Sequence, residues 1–307
     1  MKNHISLFIF AIALLSGPVS ANDLSMTAVK DTLASIPGEH NYIYVRTPLG
    51  EDEEKNYDEI TFYDGLGREL DFAQSYGADR AGAIMAHHHL IEYDSLGRKE
   101  KQWLSTNTSF SYMSPEDLKG GVLWDYHDAG KRSYLQTNYE SSPLNRITEQ
   151  YGVGDAWGDH PARMEYLTNI PADSLRCSFY FIDDNDSLIR RGDYRSGELQ
   201  VTKATDEDGK PTYTFVDKQG RTLLTRLGRG NQQADTYFVF DRFGRIRYVL
   251  PPMINDEISA GNLDLYAYQY LYDSFGRCIS KKLPGCAAIR YVYDKADRVI
   301  LSQNGNQ

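Results

Sequence analysis

Cysteine is scarce in these 307 residues: there are three, at 177, 278 and 286, with no CxxC pair. That excludes a disulfide-dense scaffold and gives no sign of a Cys-rich structural zinc or a thioredoxin-type redox centre. Basic residues are short, 33 Lys and Arg against 43 Asp and Glu, for a net charge of −10. Phosphate backbones and anionic bilayers both require positive surface, so nucleic acid is excluded as the main partner and adsorption to acidic membranes is disfavoured. Long apolar runs are missing too. Past the first 21 residues nothing approaches the roughly eighteen apolar residues that span a bilayer, so no membrane span is expected once that segment is removed.

The first 21 residues are of another kind. Lys2 precedes the apolar run "ISLFIFAIALL", and "SGPVSA" ends in small residues at Val19 and Ala21. This reads as a secretory signal peptide, 1–21, cleaved after Ala21. No Cys follows at the cleavage point, which argues against a lipoprotein. Its loss removes Lys2 and no acid, so the mature chain is one unit more negative, and it is expected to be secreted or held at the cell surface or in the periplasm. In such a compartment Cys278 and Cys286 could close a short loop across "ISKKLPG"; three unpaired thiols are the alternative.

What the chain has is aromatic residues and a repeated word. Tyr occurs 23 times and Phe 12 times. "YDGLGR" starts at Tyr63 and "YDSLGR" at Tyr93; "YHDAGK" follows at Tyr126, "VDKQGR" at Val216, "FDRFGR" at Phe240, "YDSFGR" at Tyr272 and "YDKADR" at Tyr293. "IDDNDS" at Ile182 is a worn candidate in the one long gap. Outside that gap the spacing varies from 21 to 33 residues, which excludes a strict solenoid and suits hairpins of unequal length. An aromatic or branched residue ends a strand. The Asp accepts from a backbone N–H two residues on, and Gly then takes a left-handed position. Arg opens the returning strand within reach of the Asp. The flanks "DEITFYD", "TYFVFD", "AYQYLYD" and "IRYVYD" alternate with period two, as strands do. A short helix is expected over 23–36 and a helical turn after Ser114; the rest is strand and turn. The fold class is all-β, stacked antiparallel hairpins in a continuous curved sheet or partial shell.

These words resemble the YD (tyrosine–aspartate) repeats of RHS proteins. The resemblance extends to "IEYDSLGRKEKQWL", "TNYESSPLNRITEQYGVGDAW", "TDEDGKPTYTFVDKQGR", "FDRFGRIRYVLPP" and "LYDSFGRCISKKLPG", which are similar to successive blocks of the uncharacterised N-terminal domain of large exported RHS-repeat proteins, over about residues 40–304. It implies a lead-in at 22–39, that N-terminal domain at 40–200, and further repeat hairpins at 201–307. In such proteins a longer array, an RHS core and a variable, often toxic, tip follow; here the sequence stops at Gln307 after a repeat, which reads as an array cut short. RHS repeats wrap into a hollow shell around the tip, and this chain's copies suffice for an arc. Its last hairpin, 291–303, would present a free edge for self-association or for further RHS repeats.

No catalytic, cofactor or metal residue is assigned. In "HHH" at 87–89, alternation allows at most His87 and His89 to share a metal, and Glu92 suits His88 only on a helix. "EDEEKNYDE" at 51–59 reads as a solvated acidic loop, and "DDND" at 183–186 as a turn lacking the Gly and closing Glu of a calcium loop. The motif acids Asp64, Asp94, Asp241, Asp273 and Asp294 read as turn formers. "RLGRGN" at 226–231 lacks the Lys-Ser/Thr of a phosphate loop. Cys177 reads as packed. "NTS" at Asn107 has only the form of a glycosylation sequon, and "DSL" at Asp94, Asp173 and Asp186 that of an O-glycosylation signal. Trp103, Trp124 and Trp157 would suit stacking on sugar rings, and the YD-repeat family is linked to carbohydrate binding. The leading expectation is therefore a non-enzymatic, toxin-associated structural module; a glycan- or cell-surface-binding module is the alternative, and a hydrolase the third.

Overall fold

A computed structural model describes residues 40–48, 56–78, 84–127, 130–228, 233–254 and 256–305. The leader at 1–21 and the helix expected over 23–36 lie outside them. The described residues form twenty strands and two α-helices, with antiparallel pairing. The all-β expectation holds, and the sheet does not close on itself. The chain divides into two compact units, Met1–Pro161 and Ala162–Gln307.

In the first unit β1 (Asn41–Pro48), β2 (Asn56–Tyr63), β3 (Glu69–Ala78) and β4 (Ile84–Tyr93) form a meander. The far end of β4 pairs with β5 (Lys99–Trp103), and its near end with β6 (Thr106–Ser109). β7 (Tyr134–Tyr139) and β8 (Ile147–Tyr151) extend the sheet from β5. Alternation on β2 buries Ile60 and Phe62, which pack with Ala73, Ala86 and Phe110. Each large side chain so buried stabilises the unit by about 1.5–3 kcal/mol.

The helical turn expected after Ser114 is a full helix, α1 (Pro115–Asp125). Ser114 caps it, its Oγ accepting from the Asp117 N–H at 3.2 Å, and Leu118 and Val122, one turn apart, are its buried residues. Gly121 permits close approach, since a Cβ there would lie 2.8 Å from Thr106 Oγ1. This helix corrects one expected hairpin. Tyr126 of "YHDAGK" is the C-cap of α1, its N–H donating to the Val122 carbonyl. The word lacks an alternating strand before it, and the Ser-Pro-Glu-Asp start commits the segment to a helix instead.

The second unit opens with β9 (Ala162–Thr168). A hairpin of β10 (Ser178–Ile182) and β11 (Leu188–Asp193) forms a two-stranded sheet of its own. The main sheet runs from β9 to β12 (Gln200–Thr205), β13 (Pro211–Val216), β14 (Thr222–Leu227), β15 (Ala234–Phe240) and β16 (Ile246–Leu250). It continues through β17 (Tyr268–Tyr272), β18 (Cys278–Lys282), β19 (Ile289–Tyr293) and β20 (Val299–Gln303). A short helix, α2 (Ala260–Tyr266), sits between β16 and β17. Leu199, Val201, Phe215, Leu224, Val239 and Leu250 form the core. The β10–β11 hairpin packs on β15, with Tyr180 edge-on to Tyr237 at 4.9 Å, and its tip acid Asp186 is ion-paired with Arg247.

Candidate functional site

The recurring side-chain arrangement in this molecule is the turn built by the repeated word. In the β17–β18 hairpin, Asp273 Oδ1 accepts from the N–H of Phe275 at 3.0 Å and of Arg277 at 2.9 Å. Its Oδ2 accepts from Arg277 Nε at 2.7 Å. Asp273 N–H donates to the Arg277 carbonyl, and Gly276 N–H to the Asp273 carbonyl, both at 3.0 Å. The same set recurs at Asp64, Asp94, Asp217 and Asp241, with glycine φ between +77° and +81°. Asp294 repeats it with Asp297 at the glycine place, φ +60°. The worn word at Ile182 is also a hairpin, with Asp183 accepting from Asn185 and Ser187 and with Asp186 left-handed at φ +64°.

Two turns escape a search for the hexapeptide. "TDEDGK" joins β12 to β13, with Asp206 accepting from the Lys210 N–H at 2.7 Å and Gly209 at φ +77°. "YESSPLNR" joins β7 to β8 with a longer loop. There Glu140 replaces Asp and grips Arg146 through two bonds of 2.8 and 2.7 Å, and Asn145 takes the left-handed place at φ +54°. The signal in both is an acid after a strand and a basic residue opening the next.

The motif arginine also reaches forward. Arg68 stacks over Tyr93 with its Cζ 4.6 Å from the ring centroid; Arg98 lies over Tyr139 at 4.6 Å, Arg221 over Phe240 at 5.1 Å, Arg245 over Tyr272 at 4.9 Å and Arg277 over Tyr293 at 5.1 Å. Each ring ends a strand that pairs with the one its arginine opens. β18 and β19, for instance, pair Ser280 with Arg290 and Lys281 with Ile289, which carries Arg277 opposite Tyr293. Three of these arginines also donate through Nη1 to the backbone carbonyl after the ring: Arg98 to Glu140 at 2.9 Å, Arg245 to Asp273 at 3.2 Å and Arg277 to Asp294 at 3.1 Å. One guanidinium thus closes its own turn and grips the next hairpin. The five arginine side chains are 15–33% exposed.

Arg298 breaks the series. It chelates Asp294 like the others, but its side chain is 79% exposed. No ring lies over it among the described residues. The strand it opens, β20, pairs with β19, and Val299, Ile300 and Leu301 are 52%, 57% and 64% exposed.

The motif acids ionise easily. Hydrogen bonds from the arginine's backbone N–H, then from its guanidinium, hold Asp64, Asp94 and Asp294 below the usual carboxylate range. At Asp217, Asp241 and Asp273 burial pushes upward, and the same arginine bonds outweigh it. Arg146 brings Glu140 down to about 2. Carboxylates locked in this way are poor proton donors at neutral pH.

The other candidates stay apart. His88 points inward from β4 and is 1% exposed, with Nδ1 2.6 Å from buried Asp71 and Nε2 3.0 Å from the Ser109 carbonyl. Glu92 is bound by Trp103 Nε1 and by Lys119, not by a histidine. Among the described residues no three His, Cys, Asp or Glu side chains gather as metal ligands. Of the acidic stretch, 51–55 lies outside the described residues, while Asp58 holds Arg46 and Tyr44. Arg226, buried, binds Asp235 and the carbonyls of Ser174 and Arg176; positions 229–232 lie outside the described residues. The cysteines are free thiols, and burial raises Cys177 to about 12. Asn107 lies on β6, Asp173 in a single 3-10 turn.

The tryptophans divide. Trp103 is packed against Tyr134, whereas Trp124 is 82% and Trp157 46% exposed. The aromatic groove of the second unit lies elsewhere: about 580 Å³ beside Phe179, Phe181, Tyr194, Phe240, Arg221 and Asp241. Residue identity alone did not mark it, because Phe179 and Phe181 belong to the hairpin that leaves the main sheet.

Comparison with known proteins agrees with this geometry. Residues 41–168 match the model of a family described as "Domain of unknown function (DUF6443)". No curated protein matches. The crystal structure of TcdB2-TccC3-Cdc42 is similar over 87% of this chain at 14% identity, with a TM-score of 0.55; TcdB2-TccC3 is similar over 95% at 13% identity, with a TM-score of 0.54. This chain spans 12% and 14% of those chains. At such identities the likeness is one of fold, and the fold is RHS-related.

Proposed function

We propose that this chain is an exported, non-enzymatic structural module: the N-terminal part of an RHS/YD-repeat shell or surface protein, of the kind found in polymorphic-toxin systems. The observation that carries the reading is the arginine–aromatic ladder. Aromatic, acid, glycine and arginine all serve to close one hairpin and seat the next, which leaves the repeated acids no role in turnover. A module that only stacks hairpins needs this chemistry and no other.

The test is in the producing cell and on the purified product. The exported protein begins at Asn22, and Asp273→Ala makes the β17–β18 hairpin the first point of proteolytic cutting while β2 to β4 stay protected. An unprocessed chain confined to the cytoplasm, or an Asp273→Ala protein as resistant as the parent, contradicts the reading.

The groove beside Phe179 and Phe181 favours a second reading, a carbohydrate-binding module, because flat rings flanked by Arg221 and Asp241 match the apolar face and hydroxyl rim of a sugar. A glycan array with the parent and with Phe179→Ala decides it: an enriched glycan lost in the variant supports binding, and no enriched glycan removes it.

A further inference from the structure

The ladder sets a rule for what its last rung accepts. Five times an arginine that opens a strand faces an aromatic residue that ends the neighbouring strand, and in three of those places it also takes the carbonyl after the ring. Arg298 offers the same planar cation, fixed at the same place by Asp294, beside an exposed strand. An exposed edge alone accepts any strand. An edge with a preorganised guanidinium at one end selects for register and for the residue opposite it.

We propose that β20 and Arg298 form a selective docking edge for an antiparallel strand that ends in an aromatic residue followed by an acid, supplied by another segment rather than by a second folded copy of this chain. The inference rests on the structural-module reading and deepens it by naming the partner's chemistry. A second copy has no such strand to give. Its aromatic–acid strands are β2, β4, β7, β15, β17 and β19, and each is already paired along both edges. Of the strands with a free edge, β10 ends in Ile182 before Asp183, and β20 itself ends in Gln303. Side chains on β20 agree with an apolar strand as the neighbour, since Val299, Ile300 and Leu301 are all exposed.

The experiment titrates the full chain with a synthetic hairpin of the sequence found at 268–282, "YQYLYDSFGRCISKK", and follows binding by calorimetry and β20 amide protection by hydrogen exchange. Expected are saturable binding, protection confined to β20, and about a tenfold loss of affinity for Arg298→Ala protein or for peptide carrying Tyr272→Leu, with no further loss when the two are combined. Arg298 is exposed, so its variant folds as the parent does. Absence of binding, binding indifferent to both substitutions, or protection of β20 by self-association without peptide each overturns the proposal. The structural-module reading is tested separately by Asp273→Ala, whose effect does not depend on the peptide.

Discussion

Arg245 lies between two rings: its Cζ is 4.9 Å from the centroid of Phe243 in its own turn and 4.9 Å from that of Tyr272 at the end of the next strand pair. The same guanidinium holds Asp241 at 2.8 Å and donates to the Asp273 carbonyl at 3.2 Å. A side chain with four such neighbours links two hairpins that are 28 residues apart in the chain, and it makes the array's cohesion a matter of side chains as well as of backbone ladders.

Glycine at the fourth place after the aromatic answers two demands at once. Gly97 has φ +81°, and a Cβ on it would sit 3.0 Å from Arg68 Nη1 of the preceding hairpin. Gly97→Ala is expected to destabilise the first unit by at least about 1 kcal/mol. Gly65, two residues after Tyr63 in the same kind of turn, has nothing within 4 Å of such a Cβ; Gly65→Ala is expected to be neutral. Urea titration of the two variants checks the pair, and equal effects would count against the account.

His88 and Asp71 form a buried pair in the first unit. His88→Ala leaves the Asp71 carboxylate in the core with its Oδ1 already unpartnered, and is expected to cost roughly 3–5 kcal/mol. Replacing both by Leu removes the stranded charge and is expected to recover most of that loss. Chemical denaturation of the single and double variants measures both; a single variant as stable as the parent contradicts the pairing.

Acid should loosen the array. Asp64, Asp94 and Asp294 are held low by their arginines' backbone and side-chain bonds. A carboxylate whose folded value is depressed contributes stability that is whole above its unfolded range, near 4, and is lost as pH falls below it. Thermal unfolding is therefore expected to be flat from about pH 7 to 5 and to fall steeply below about pH 4. Asp94→Asn shallows that fall. A melting temperature independent of pH down to about 3 would refute the role given to these acids.

Much of this was legible in the residues because the turn chemistry is local. An acid that bonds the N–H two residues on, a left-handed glycine and a returning arginine can be read from six letters, and six of the seven clear copies are hairpin tips. Tyr126 failed because helix signals upstream, Ser114 with Leu118 and Val122, decide that segment. Glu140 and Asp206 were missed because a longer loop, or a Thr before the acid, blurs the word while keeping its chemistry. The ladder itself was not legible. That Arg245 meets Tyr272 depends on register across a connection carrying α2, and spacing alone does not give register. The groove at Phe179 depends in the same way on where the β10–β11 hairpin lies.

The central claim is that the motif arginine holds the next hairpin and not merely its own turn. The thermal unfolding of Arg245→Ala against that of Arg298→Ala tests it most directly, since both arginines chelate their own Asp and only Arg245 has a ring and a carbonyl ahead of it. Arg245→Ala is expected to lose about 2 kcal/mol, or roughly 4–8 °C, while Arg298→Ala melts within about a degree of the parent. Equal losses in the two variants would show that the arginine works only within its own turn.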